Sequence, residues 1–129
     1  MRTKITNRVG HAPSEAEEQK ALFEWAELSK GKYPVLELLY HIPNEGRRSL
    51  SGGRYLKEQG MKRGVPDICL PVPAHHYTAL YIEMKRRDGG RVSKEQQGWI
   101  TALNRVGNLA VVCNGWEEAR KIILEYLRQ

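Results

Sequence analysis

The stretch from Val65 to Lys85 limits what this chain can fold into more than any other. Two strand-length apolar runs, roughly Val65 to Pro71 and Thr78 to Lys85, flank the turn-rich Pro71-Val72-Pro73-Ala74-His75-His76. A third such run, Leu109 to Cys113, follows Gly107-Asn108. Val35 to Ile42 is partly alternating and reads as a further strand.

Helical segments separate and flank these runs. Ser14 with Glu17 has capping-box spacing and opens a helix that Gly31-Lys32-Tyr33-Pro34 closes. Ser93 with Gln96 repeats that spacing before a helix reaching about Val106. Asn114 reads as the cap of a last helix, with Trp116, Ala119, Ile122, Ile123, Tyr126 and Leu127 at helical spacing. A long polar connection from Pro43 to Gly64 has room for a short helix near Arg54 to Gln59, closed by Gly60. Connections of that length in a compact domain are often functional. The order helix, three strands, helix, strand, helix implies an α/β fold with a central mixed sheet flanked by helices.

With 129 residues, 40% of them hydrophobic, the chain has material for one domain and one core. Residues 1–13 read as a basic arm and 14–129 as the domain. No window has the length and apolarity of a membrane span and the start lacks a secretory signal, so a cytoplasmic protein is expected. Cys69 and Cys113 lie in apolar runs without zinc-site spacing and read as buried free thiols. Twenty-one Lys and Arg against fifteen Asp and Glu give a net charge of +6, which suits a polyanion such as DNA.

Chemistry concentrates at the ends of the two paired runs. Side chains alternate along a strand, so Glu83 and Lys85 share a face. If the runs form a hairpin, Asp67 converges on them. Asp67 and Glu83, with the backbone carbonyl of Met84, form a hard oxygen set for Mg²⁺ or Mn²⁺. Lys85 then orients or deprotonates water and offsets charge in a phosphodiester transition state. Arg47, Arg48, Arg54, Lys57, Lys62 and Arg63 before this centre, with Arg86, Arg87, Arg91 and Lys94 after it, provide cations for a phosphate backbone.

Pro66-Asp67 followed by Glu83-Met84-Lys85 resembles the PD-(D/E)xK nuclease signature. Gly60 to Asp67, Tyr81 to Arg86 and Arg91 to Gln97 resemble the VRR-NUC branch of that superfamily, in its stand-alone phage and prophage form. The resemblance implies a restriction-endonuclease-like fold, metal-dependent cutting of DNA and a homodimer related to Holliday-junction resolvases. Its setting would be a bacterial or phage-infected cell. A further reading is a nuclease that works only with a helicase or recombination partner.

The family's acids match Asp67 and Glu83, its lysine matches Lys85, and its later glutamine matches Gln96, which capping explains equally. The family's first-helix Glu-x-x-x-Gln pattern fits Glu15 and Gln19. Among Glu15, Glu17 and Glu18, Glu15 is preferred because it precedes Gln19, Leu22 and Ala26 on one face. Asn44 is a DNA-contact candidate or a turn residue. The implied activity is a DNA endonuclease acting on branched or structured DNA. The competing reading is a DNA-binding module of the same fold that is silent or needs a partner. Trp99, Trp116 and Tyr126 offer aromatic surface for a dimer contact.

Overall fold

A computed structural model describes residues 11–43 and 56–128. Helix α1 (Glu15–Ser29) starts at the Ser14 capping box: the Glu17 amide donates to Ser14 Oγ at 3.1 Å and the Ser14 amide to Glu17 Oε1 at 2.9 Å. Its buried positions, Glu18, Ala21, Leu22 and Ala26, form one stripe at helical spacing, with a carboxylate at its head.

The run expected as a strand from Val35 to Ile42 is mostly something else. Pro34 starts a 3-10 helix (Pro34–Leu38), and only β1 (Tyr40–His41) pairs with the sheet. Proline's fixed φ suits the first turn of a helix. Leu36 and Leu39, three apart, bury on one side, which is the 3-10 period. The short helix expected from Arg54 to Gln59 is helical at residues 56–58 and closes at Gly60 with φ 100°; residues 44–55 lie outside the described part.

Strands β2 (Ile68–Leu70) and β3 (Leu80–Lys85) pair antiparallel, with Ile68 opposite Ile82 and Cys69 opposite Tyr81. Helix α2 (Lys94–Arg105) crosses over to β4 (Leu109–Asn114), which lies parallel to β3. The sheet is therefore mixed, in the order β1-β2-β3-β4. Helix α3 (Trp116–Leu127) completes the chain. Its N-cap is Gly115 at φ 90°, not Asn114, which is the last residue of β4. The Trp116 amide instead donates to Glu18 Oε1 at 3.2 Å, so a carboxylate from α1 satisfies the start of α3.

Leu22 of α1, Ile68, Leu70, Leu80, Ile82 and Met84 of the hairpin, and Ile123 of α3 are fully buried together. Trp116 and Tyr126 belong to this core, so neither supplies the exposed aromatic surface expected of it. Along β3 the alternate residues Tyr81, Glu83 and Lys85 leave the core side, and Glu83 and Lys85 meet α2. At the β4 end of that side Asn104 of α2 clasps Ala110, donating to its carbonyl at 3.0 Å and accepting from its amide at 2.9 Å. Cys69 and Cys113 are free and buried, and burial pushes the Cys113 thiol up to about 12. Among the described residues no helix is long and apolar enough to cross a membrane.

Candidate active site

Asp67 immediately precedes β2, and the hairpin register, carried one step on, sets it opposite Glu83. Its backbone is fixed from β1: the Ile42 amide donates to the Asp67 carbonyl at 2.6 Å, and His41 Nδ1 lies 2.8 Å from the same oxygen. Its side chain reaches across to β3, where Oδ2 accepts from the Met84 amide at 2.8 Å. The hairpin thus ties one acid to the strand that carries the other.

Glu83 and Lys85 are buried at 1% and 5% exposure, with Lys85 Nζ 3.6 Å from Glu83 Oε2. Gln96 joins them from the first turn of α2. Its Nε2 donates to Glu83 Oε2 at 2.9 Å, while its Oε1 accepts from Lys85 Nζ at 3.1 Å and from the Ser93 amide at 2.8 Å. Capping and site contact are therefore not alternatives for Gln96; one amide group does both.

Glu83 Oε1 is buried and accepts no hydrogen bond, and the Asp67 carboxylate beside Glu83 can pair with it only through a proton that the two share. Burial first, and the Asp67 charge second, raise the Glu83 carboxyl to about 8, with Lys85 opposing. Two neighbouring carboxyl groups in a buried site call for a proton or a cation between them. The residues present fit a hard divalent ion on this ground, although among the described residues no three His, Cys, Asp or Glu side chains are already grouped around one point.

Two glycines make the assembly possible. Gly64 has φ 86°, and a Cβ there would stand 2.6 Å from the Glu95 carbonyl carbon and 2.8 Å from the Gln96 amide, so α2 seats directly on it. A Cβ at Gly90 would lie 3.1 Å from Lys85 Cδ and 3.6 Å from Glu15 Oε2. Gly64 stands in the motif already quoted, but only a folded structure shows what packs against it.

The three early acids separate cleanly. Glu17 closes the capping box. Glu18 is buried, taking Arg87 Nε at 2.8 Å and Nη2 at 3.0 Å besides the Trp116 amide. Glu15 is exposed and adds its charge to the field at Glu83. Arg87, expected among the phosphate-binding cations, is used differently: Glu18 and Glu117, at 3.2 Å, both engage its guanidinium. Arg86 is exposed, 3.5 Å from Asp88, and Lys62, Arg63, Arg91 and Lys94 are exposed too. Asn44, Arg47, Arg48 and Arg54 lie outside the described residues.

A mixed sheet whose central hairpin brings two acids and a lysine to one end, beneath a helix that braces them, defines a nuclease-type α/β domain. The model of the VRR-NUC domain matches residues 11–117, and the chain belongs to that family. A solved structure described as a VRR_NUC domain protein is similar at 25% identity and a TM-score of 0.78, covering 91% of this chain and 90% of its own. No curated protein matches the chain.

Proposed function

We propose that this domain is a divalent-metal-dependent endodeoxyribonuclease that hydrolyses phosphodiester bonds in branched or otherwise structured DNA. The observation that carries the reading is the buried Glu83 carboxyl, whose Oε1 accepts no hydrogen bond, beside Asp67, with Lys85 held next to them by Gln96. Asp67, Glu83 and the Met84 carbonyl are the ligands we assign, with Glu15 approaching from α1; Mg²⁺ or Mn²⁺ held there would supply Lewis acidity and charge at the phosphate. Glu83 gives up its proton when the ion is taken.

Lys85 carries the rest of the chemistry. Its ammonium is buried and aimed by Gln96, so it can orient the attacking water and offset negative charge as the phosphorus–oxygen bond breaks. Lys62, Arg63, Arg86, Arg91 and Lys94 would hold the phosphates to either side. We assign the work to a homodimer in the cytoplasm, with a helicase or recombination protein as a second partner.

Cleavage of a four-way junction and of its separate arms, in Mg²⁺ and in Mn²⁺, tests this. Junction cutting that Lys85→Ala abolishes, with DNA binding retained, is the expected result. Normal cutting by Lys85→Ala would remove the assignment of the lysine. Equal cutting of junction and arms would remove the preference for structured DNA. Sedimentation of the purified chain tests the dimer.

A further inference from the structure

One row of side chains beyond the acids holds Tyr40, Cys69 and Tyr81, one on each of β1, β2 and β3, in the register Tyr40 to Cys69 and Cys69 to Tyr81. Cys69 is two residues from Asp67, and Tyr81 is two from Glu83. Alternation therefore puts the row on the acids' side of the sheet, about 7 Å away along the strands.

Cys69, between the two tyrosines in this row, is 2% exposed, so the side chains around it close over its sulfur. A flanking ring that helps to cover Cys69 leans across the sheet, and a leaning ring turns one face outward. Tyr40 is 48% exposed, and Tyr81 is half-buried. Helix α2 covers the row at its β4 end, through Asn104 on Ala110, opposite Tyr81; Tyr40 is at the other end.

We propose that Tyr40 and Tyr81 form a stacking platform for one unpaired nucleobase of the DNA strand whose phosphate enters the site of Asp67, Glu83 and Lys85. The proposal rests on the nuclease reading and adds to it a substrate class. Aromatic faces bind bases of any sequence, and the platform lies about one nucleotide's reach from the cationic Lys85 and its acids. A base stacked within a duplex has no free face to offer, so the occupant is an unpaired one, as at a flap, gap or junction centre. Tyr40 and Tyr81 thus favour structured DNA by stacking instead of by reading sequence.

The test measures binding apart from cleavage, using the full chain carrying Lys85→Ala without added metal. Its probes are a gapped DNA with 2-aminopurine as the unpaired base and the same duplex fully paired. The gapped DNA should bind more tightly, with quenched fluorescence. Tyr40→Leu should weaken gapped binding about ten-fold and leave duplex binding nearly unchanged, while Tyr40→Phe keeps the preference. Tyr40→Leu acting equally on both DNAs, or on neither, would overturn the platform and leave the nuclease reading standing. Failure to bind either DNA would bring down both.

Discussion

Gln96 Nε2 donates to Glu83 Oε2 at 2.9 Å, and through this bond the first turn of α2 is fastened to the more buried of the two site acids. The same side chain caps its own helix, so its two roles need separating by substitution. Gln96→Glu keeps an oxygen for the Ser93 amide and for Lys85 but turns an anionic oxygen toward Glu83 in place of the donor. Gln96→Ala loses the cap as well, at a cost of about 1 kcal/mol. We expect Gln96→Glu to lower kcat at least ten-fold and Gln96→Ala to lose more stability. Urea titration beside cleavage rates checks both; full activity in Gln96→Glu would confine Gln96 to capping.

Glu83 sets a pH dependence with a definite sign. Its carboxyl is raised to about 8 in the folded metal-free protein, against an ordinary value of 4.5. Between those values the native state holds a proton that the unfolded chain has released, so stability contributed at low pH is lost as pH rises through this window. Unfolding free energy in chelator should fall by on the order of a few kcal/mol from pH 5 to pH 8, and Glu83→Gln should flatten the fall. A wild-type curve that rises over this window would contradict the burial argument. Mn²⁺ titration at pH 7 should release a proton, visible as buffer-dependent heat in calorimetry.

What the sequence shows of this fold follows from how local each signal is. Both capping boxes, the hairpin and the common face of Glu83 and Lys85 are consequences of spacing within a few residues, and the structure contains all of them. Val35 to Ile42 misleads because its apolar residues fit two periods, and Pro34 at the start of the run favours the turn. Gly115 takes the cap that Asn114 suggests because the donor at α3 is satisfied from α1, a partner 98 residues away in the chain. Arg87 looks like its neighbour Arg86 in sequence; only the fold shows Glu18 beneath it.

That pairing gives the two arginines opposite behaviour. Glu18 has no exposed surface, so removing the Arg87 guanidinium leaves a buried carboxylate with little besides the Trp116 amide. Breaking a buried pair from one side costs roughly 3–5 kcal/mol, and the partial exposure of Arg87 places this case at the lower end. Arg87→Ala should therefore lower Tm by many degrees and leave the residual DNA affinity of the folded fraction nearly intact. Arg86→Ala removes an exposed pair worth at most about 1 kcal/mol and should instead weaken DNA binding with a smaller salt slope. Thermal melts and binding isotherms across a salt series check the contrast, and equal melts for the two variants would dissolve it.

Gly64 offers the sharpest separation of fold from site. An alanine there would place its Cβ within 2.6 Å of the Glu95 carbonyl carbon at φ 86°, a conformation that costs a non-glycine residue about 1–2 kcal/mol before any clash. The obstructing atoms are backbone, which cannot rotate away, so α2 must lift from its seat and carry Gln96 with it. Gly60→Ala has the same kind of φ, 100°, but meets nothing within 4 Å and should cost only the backbone strain. Gly64→Ala should therefore lose cleavage by much more than Gly60→Ala even when both are assayed at a temperature where each remains folded. If the two variants cut equally well, the contact between Gly64 and the start of α2 does not set the position of Gln96, and the Gln96 bridge from Lys85 to Glu83 must be maintained from within the helix.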